Sequence, residues 1–230
     1  MINRHEVSIP VGLTHLQGML AMPEEARGLV IFVHGSGSSR FSVRNQQVAR
    51  SLNEYGIATL LFDLLTNDES TVDEKDGRYR FNISLLANRL KSVTMWTQKN
   101  PECGCLKIGY FGASTGAAAA IVAASELPGT ISSIVSRGGR PDLAGTAALH
   151  ELQSPILLIV GNLDSEVVAL NEMAAKELRV DHKELIIDGA THLFEEAGAL
   201  EQVADGAAAW FLEHFIFVKE RRNEIKKAGS

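Results

Sequence analysis

The sequence lacks an excess of positive charge. Its 230 residues contain 22 Lys and Arg against 28 Asp and Glu, a formal net charge of −6. Nucleic-acid-binding proteins gain much of their affinity from Lys and Arg that neutralise phosphates, so no nucleic-acid partner is expected. The hydrophobic fraction of 45% is sufficient for a buried core, which excludes a disordered chain. The function is therefore expected to reside in a pocket.

Cysteine is scarce as well. Only Cys103 and Cys105 occur, and they do not have the C-x-x-C spacing of redox and zinc motifs. Two reduced thiols are expected. The histidines show neither H-E-x-x-H nor another ligand spacing, so the sequence predicts no metal site and no cofactor.

Targeting and membrane-spanning segments are also missing. The first residues, MINRHEVSIPVG, contain no apolar region of the kind found in a secretory signal. Residues 108–125 are uncharged throughout, but Gly109, Gly112 and Gly116 divide them into a strand, a tight turn and an Ala-rich helix. We expect a cytoplasmic protein that does not enter a membrane.

Apolar runs of strand length alternate with amphipathic stretches along the chain. The predicted buried strands are residues 29–33, 57–62, 108–111, 131–135, 156–160 and 185–187. Runs that are apolar on both faces are typical of a parallel sheet covered by helices. Helical periodicity occurs at 48–55, 83–93, 170–178 and 200–211, whereas 6–9 and 13–22 predict an antiparallel hairpin. The predicted fold class is α/β, a mostly parallel sheet with helices on both faces and an N-terminal hairpin.

No repeat, low-complexity block or linker divides the chain. We predict one domain over residues 1–218, followed by a charged tail at 219–230 with five Lys or Arg and two Glu. The polar, charged segment 66–80 is predicted to be a loop and is the candidate mobile segment. No feature of the sequence indicates how many copies of the chain associate.

A G-x-S-x-G motif, Gly112 to Gly116, lies between the predicted strand at 108–111 and the Ala-rich helix. A sharp strand-to-helix turn requires close backbone approach, which explains the flanking glycines, and it exposes the serine hydroxyl at the helix N-terminus. An ordinary glycine-rich turn with a capping serine is the alternative. The context favours Ser114 as a nucleophile.

Serine needs a base to remove its proton, and a carboxylate usually orients that base. Asp164 ends a G-N-L-D segment after the strand at 156–160, and His192 ends a G-A-T-H segment after the strand at 185–187. The order is Ser, Asp, His, with separations of 50 and 28 residues (164 minus 114 and 192 minus 164). Asp188 and Glu166 are alternative acids, although neither occupies the G-x-x-D position.

These three motifs together resemble the α/β-hydrolase family over residues 6–215. The resemblance implies that Ser114 is the nucleophile, His192 the general base and acid, and Asp164 the group that orients the imidazole. It also implies an oxyanion hole made by the backbone N–H groups of Ser36 and Thr115. Ser36 lies in the segment HGSGSS, whose alternative reading as a phosphate loop lacks the Gly-Lys-Ser/Thr ending.

The compact chain most resembles the dienelactone hydrolase-like branch of that family. Residues 136–155 are too few for a helical cap domain, so an open site is expected. Dienelactone hydrolases proper use a cysteine nucleophile, whereas this motif carries Ser114. The resemblance therefore implies a serine hydrolase that cleaves small carboxylic esters through an acyl-enzyme, with a small-molecule ester as its partner. Thioesterase, acyltransferase or peptidase chemistry, or a non-catalytic ligand-binding protein, are the alternatives.

Two arginines follow the predicted strand at 131–135. Arg137 and Arg140 lie past its carboxyl end, the side on which open α/β sheets bind ligands. They are candidate substrate-binding residues, because a guanidinium group can hold a carboxylate through two hydrogen bonds. Pairing with a local acid such as Asp142 or Asp63 is the alternative.

Overall fold

The computed structural model describes residues 1–215, which fold around one eight-stranded sheet. The strand order is β1-β2-β4-β3-β5-β6-β7-β8. The strands are β1 (Ile2–Val11), β2 (Thr14–Pro23), β3 (Leu29–Val33), β4 (Ala58–Phe62), β5 (Ile108–Ala113), β6 (Ile131–Arg137), β7 (Ile156–Gly161) and β8 (His182–Ile187).

Helices connect the strands. Within the described residues they are α1 (Val43–Glu54), α2 (Asn67–Asp76), α3 (Ile83–Lys99), α4 (Thr115–Ser125), α5 (Gly145–Glu151), α6 (Ser165–Glu177) and α7 (Ala199–His214), and a short 3₁₀ helix covers Pro141–Ala144.

The sheet is mostly parallel, as predicted. β1 and β2 form an antiparallel hairpin, and β2 is also antiparallel to β4. The strands from β4 through β3, β5, β6 and β7 to β8 are parallel to their neighbours. The carboxyl ends of the parallel strands therefore meet along one edge of the sheet, where connecting loops can assemble a site.

Two apolar layers hold the helices against the sheet. Leu90 of α3 and Ala119 of α4 belong to the layer on one face, and Leu52 of α1 and Phe211 of α7 belong to the layer on the other. All residues of β3, β4, β5 and β7 are buried, which explains their largely apolar sequences. The predicted α/β class with helices on both faces is confirmed.

The prediction of a loop at 66–80 was wrong for most of that segment. Residues 67–76 form α2, which begins with a capping box between Thr66 and Glu69 and ends at Gly77 with φ 66°. Arg89 of α3 also pairs with Glu69. The helix has little apolar periodicity, so its caps and ion pairs specify it, and the T-x-x-E spacing was the available signal.

The ends of the chain relate to the expectations in different ways. The predicted strand at 185–187 starts earlier, at His182, because β8 is an outer strand whose exposed side carries charged residues. The predicted charged tail at 219–230 lies outside the described residues.

Between β6 and β7 only the 3₁₀ helix and α5 occur, so no large cap covers this end of the sheet. In residues 1–215, no helix is long and apolar enough to cross a membrane.

Candidate active site

Ser114 occupies the turn between β5 and α4. Its backbone has φ 51° and ψ −123°, a conformation that non-glycine residues rarely adopt. The Ser114 N–H donates to the carbonyl of Arg137 at 3.3 Å, and the Arg140 N–H donates to the Ser114 carbonyl at 3.1 Å. These two hydrogen bonds fix the serine turn to the end of β6 and to the residues that follow it. Strained backbone of this kind is common at functional sites.

The glycines around Ser114 are required by close backbone contacts. A Cβ atom at Gly116 would lie 2.1 Å from the carbonyl oxygen of Val33, and one at Gly112 would lie 2.5 Å from Cα of Ala117. Neither contact is sterically possible without movement of backbone. The G-x-S-x-G pattern therefore reflects how closely α4 packs against β3 and against the turn itself.

His192 and Asp164 form the central polar contact of the site. Nδ1 of His192 lies 2.6 Å from Oδ2 of Asp164, and the two side chains are 39% and 16% exposed. A carboxylate only accepts, so Nδ1 carries the proton and Nε2 is left as the free nitrogen. Backbone contact also joins the two loops, because the Leu163 N–H donates to the carbonyl of Ala190 at 3.0 Å.

The alternative acids have different surroundings. Asp188 accepts from the side chain of Asn162, and Glu166 lies in the first turn of α6. Among the described residues, Asp164 is the acid that is hydrogen-bonded to His192.

Ser114 and His192 are neighbours of the same short segment. A Cβ at Gly138, which follows Arg137, would lie 3.2 Å from the carbonyl oxygen of His192 and 3.6 Å from its Nδ1. The preceding residue accepts the Ser114 N–H. Within residues 1–215 no hydrogen bond joins the Ser114 hydroxyl to His192. Such contacts are often long without substrate and tighten in the reacting complex.

The predicted oxyanion donors lie against each other. The Ser36 N–H donates to Oγ1 of Thr115 at 3.0 Å. Thr115 is the first residue of α4, and the leading N–H groups of a helix have no partner within the helix. A Cβ at Gly35 would be 3.1 Å from Cβ of Ser114, which places this loop directly beside the serine turn.

His34 anchors the loop that carries Ser36. The Leu64 N–H donates to His34 Nε2 at 3.0 Å, so the proton is on Nδ1, which lies 2.9 Å from the carbonyl of Gly35. Burial lowers the pKa of His34, although the contact with Gly35 and the charge of Asp63 oppose this change. The neutral imidazole therefore ties the loop that follows β3 to the segment after β4.

A cavity of about 450 Å³ opens beside this loop. Ser114 and His192 are not among the residues that line it, but Gly35 lines it and lies directly beside the serine turn. Its walls combine apolar and polar side chains from that loop, α2 and the start of α3, including Phe41, Leu65, Leu86, Ser70, Glu74 and Arg80.

Asp73 and Arg80 give the far wall its shape. Arg80 Nε donates to Oδ2 of Asp73 at 2.7 Å, and the N–H groups of Tyr79 and Arg80 donate to Oδ1. Burial would raise the pKa of Asp73, but these N–H donors and the Arg80 charge hold it below its ordinary value. Sequence reasoning missed this wall because it assigned the segment to a loop.

The two candidate substrate arginines differ in their contacts. Arg140 makes two hydrogen bonds to Asp142, at 2.9 and 2.8 Å, which is the alternative that the sequence left open. Asp63, the other acid considered, pairs with Arg40. Arg137 is only 7% exposed, and its Nε and one terminal nitrogen, NH1, are buried without a hydrogen-bond partner.

Residues 16–219 match the model of the dienelactone hydrolase family. The crystal structure of a dienelactone hydrolase from Anabaena variabilis is 50% identical in sequence, covers 93% of this chain and 98% of that chain, and superposes with a TM-score of 0.91. Est1E from Butyrivibrio proteoclasticus is 18% identical, with a TM-score of 0.76 and coverage of 91% of this chain and 98% of that one, which shows a similar fold.

Two curated relatives come from strains of Mycobacterium tuberculosis and are provisionally named phosphoribosyl transferases. Each is 49% identical over 209 residues, a match that covers 91% of this chain and 46% of the relative. The chain thus spans about half the length of the curated relatives it matches.

Proposed function

The chain belongs to the dienelactone hydrolase family, and from this premise we propose that it is a serine hydrolase that cleaves small carboxylic esters. The observation that carries the proposal is the 2.6 Å contact between His192 Nδ1 and Asp164 Oδ2. This contact leaves Nε2 of His192 as the available base at the sheet edge where Ser114 stands. Three residues distant in sequence thereby supply a nucleophile, a base and an orienting acid.

The proposed reaction proceeds in two halves. His192 Nε2 takes the proton of Ser114 as its Oγ attacks the ester carbonyl, and the resulting imidazolium then protonates the departing alcohol. A water molecule, deprotonated by the same nitrogen, attacks the acyl-enzyme, and collapse of the second tetrahedral intermediate releases the acid and regenerates Ser114. Asp164 keeps the imidazole in the tautomer that this cycle needs.

The negative oxygen of each tetrahedral intermediate would accept from the N–H groups of Ser36 and Thr115. Without substrate, the Ser36 N–H is occupied by the hydroxyl of Thr115. The substrate oxygen therefore replaces a neutral hydroxyl as acceptor. A charged acceptor forms a stronger hydrogen bond than a neutral one, so the exchange favours the intermediate over the bound ester.

The surroundings of the site support small substrates. The adjoining cavity of about 450 Å³ lies at the lower end of the range for small-molecule sites. It has apolar walls at Phe41 and Leu86 and polar groups at Ser70 and Glu74. A short acyl or alcohol group with one polar substituent would fit these walls.

The proposal includes the cellular location and the class of bond that is cleaved. Cys103 and Cys105 are both free, which suits a cytoplasmic location. Thioester, amide or acyl-transfer chemistry would use the same groups and is distinguished by substrate. The Mycobacterium relatives with a transferase name are about twice the matched length. The proposed hydrolase function therefore rests on this chain's own Ser114, His192 and Asp164.

The decisive experiment measures hydrolysis of a short-chain chromogenic ester by the wild type and by Ser114→Ala. We expect the substitution to lower kcat by at least a thousandfold and to abolish labelling by a fluorophosphonate. Ser8→Ala, an exposed serine on β1, is the matched control and should behave as the wild type. Equal turnover in Ser114→Ala, or a folded wild type that the fluorophosphonate does not label, would overturn the proposal.

A further inference from the structure

A buried positive charge without a partner lies behind the His192 loop. We infer that Arg137, together with Arg44, forms a binding site for a small oxyanion, a phosphate or a carboxylate group. The inference is separate from the ester cleavage proposed above, because it concerns binding on the α1 and α7 side of the sheet. It rests on hydrogen-bonding needs that the chain itself leaves unmet.

Arg137 is unusual among the arginines of this chain. Its side chain is more than nine-tenths buried, yet Nε and NH1 are buried without an acceptor. Buried guanidinium groups are normally paired, because an uncompensated charge in the interior is strongly unfavourable. Two other arginines of low exposure near the sheet edge each have a carboxylate partner: Arg40 pairs with Asp63, although its Nε also lacks an acceptor, and Arg89 pairs with Glu69.

The charges around Arg137 do not compensate it. Arg44, in the first turn of α1, is the charged group that acts on it, and the two are of like sign. Burial first, and then the charge of Arg44, lowers the pKa of Arg137 to about 10. Arg44 is itself incompletely satisfied: its NH1 donates to Glu195 at 2.7 Å, but its Nε is buried without a partner.

The start of α1 adds to this positive region. The helix is 12 residues long, is capped by Ser42, and has no acidic residue in its first turn. Its N-terminus therefore carries the uncancelled positive end of the helix dipole. An oxyanion between Arg137 and Arg44 would provide the acceptors that both side chains lack and would reduce their mutual repulsion.

The aromatic ring of Phe194 lies beside Arg137. The Arg137 guanidinium carbon lies 6.0 Å from the centre of the Phe194 ring. Phe194 is 1% exposed and has φ 55°, so it joins Ser114 as the second described non-glycine residue with positive φ. Strained residues of this kind cluster at functional sites, and this one has its aromatic ring next to Arg137.

A crevice of about 420 Å³ lies next to this region. Arg44 and Phe194 line it between α1 and the loop before α7, whereas Arg137 is not among its lining residues and lies behind them. Glu195, Glu196 and Glu201 also line the crevice. Glu195 pairs with Arg44, Glu196 accepts from Thr191 through Oε1 while its Oε2 is buried without a partner, and Glu201 accepts from Gln47. Because Glu196 and Glu201 keep their negative charge, the anion is expected away from them, next to Arg137.

Inorganic phosphate is the probe for the test. Titration of the wild type at constant ionic strength, with chloride replacing phosphate, should give a saturable calorimetric binding isotherm. The melting temperature should rise with the logarithm of the phosphate concentration, by about 5 °C at roughly 100 times Kd. Arg137→Met, which keeps an unbranched side chain of similar polarity to the Arg stem and removes the guanidinium charge, should abolish the response. Arg140→Met is the matched control, because Arg140 is already paired with Asp142, and it should respond as the wild type.

The outcomes are decisive in both directions. A wild type without a saturable calorimetric isotherm for phosphate, or an Arg137→Met protein that still binds phosphate, overturns the site. Should Arg137→Met fail to fold, Arg44→Met takes its place: binding weakened at least tenfold supports the site, and unchanged binding overturns it. None of these measurements needs turnover, so failure of the esterase proposal would leave them interpretable.

Kinetics distinguish the two sources of the anion, and this part rests on the proposed function. If the oxyanion belongs to the substrate, phosphate should raise KM for a carboxylate-bearing ester and leave KM for a neutral ester unchanged. If a free anion is the ligand, phosphate should act equally on both esters. Either pattern supports the site when Arg137→Met abolishes it, and a phosphate effect that survives in Arg137→Met contradicts it.

Discussion

The backbone N–H of Ser36 donates to the side-chain hydroxyl of Thr115 at 3.0 Å, across 79 positions of sequence. The loop after β3 is thereby fastened to the first residue of the helix that follows the serine turn. Because the donor is already aimed at a fixed point, little reorganisation is needed when a substrate oxygen takes the place of the hydroxyl. The bond links the two groups that the proposed mechanism uses together.

Replacement of Thr115 by Val tests this link. Val has a similar volume without the hydroxyl, so the Ser36 N–H loses its acceptor and the loop its fastening. We expect kcat/KM for a short-chain ester to fall at least tenfold. Thr115→Ser keeps the oxygen and should retain most of the activity. Wild-type kinetics in Thr115→Val would show that the hydrogen bond has no part in catalysis.

Asp164→Asn tests the orienting acid. The amide keeps the shape of the carboxylate, but it can donate to Nδ1 of His192 and so favour the wrong imidazole tautomer. We expect kcat to fall by about a thousandfold or more with little change in melting temperature. Asp188→Asn is the matched control, since Asp188 contacts Asn162 rather than His192. A larger loss in Asp188→Asn than in Asp164→Asn would reverse the assignment of the acid.

Gly116→Ala tests the tight packing of the serine turn. The added Cβ would lie 2.1 Å from the carbonyl oxygen of Val33, so the backbone of α4 or β3 must move. We expect the free energy of unfolding, measured in urea, to fall by about 3 kcal/mol or more. Gly129→Ala is the control: no atom lies within 4 Å of the added Cβ, and only the strain of a φ of 72° opposes it. We expect this variant to lose only about 1 kcal/mol of unfolding free energy. Equal losses would mean that packing at Gly116 is not limiting.

Because burial lowers the pKa of His34, we expect the free energy of unfolding to fall as the pH drops below 6.5. Burial lowers its pKa below the ordinary value of 6.5, so below pH 6.5 the unfolded chain takes up a proton that the folded protein resists. Stability contributed by neutral His34 is therefore present above pH 6.5 and is lost as the pH falls toward the lowered pKa. In His34→Gln, whose amide oxygen can still accept from Leu64, we expect a smaller loss of unfolding free energy between pH 6.5 and 5.

The exposed His15→Gln serves as the control for this experiment. It should lose stability with falling pH as the wild type does, measured by urea unfolding at matched ionic strength. An unchanged slope in His34→Gln would mean that His34 is not the group responsible.

Much of the fold was predictable because the central strands are buried on both faces. The run from Leu29 to Val33 coincides with β3, and the glycines of the serine turn mark the boundary between β5 and α4. The start of β8 was not predictable in the same way, because one face of this outer strand is exposed and His182 and Lys183 interrupt the apolar run.

The candidate site was predictable only where backbone geometry restricts the sequence. Ser114, Asp164 and His192 could be picked out because each lies near a turn glycine just after a buried strand. The structure brings Asp164 into contact with His192. The partners of Arg140 and Arg137 depend on side-chain directions that no local pattern encodes. The hydroxyl of Thr115 is a similar case, since nothing near Thr115 in sequence indicates its contact with Ser36.

The strand order has a consequence for when the chain can react. Ser114, Asp164 and His192 follow β5, β7 and β8, and β6 lies between the first two of these strands in the sheet. His192 follows Ser114 by 78 residues (192 minus 114), so it is the last of the three residues to be synthesised. In the proposed mechanism the Ser114 hydroxyl therefore has no general base until β8 has docked against β7.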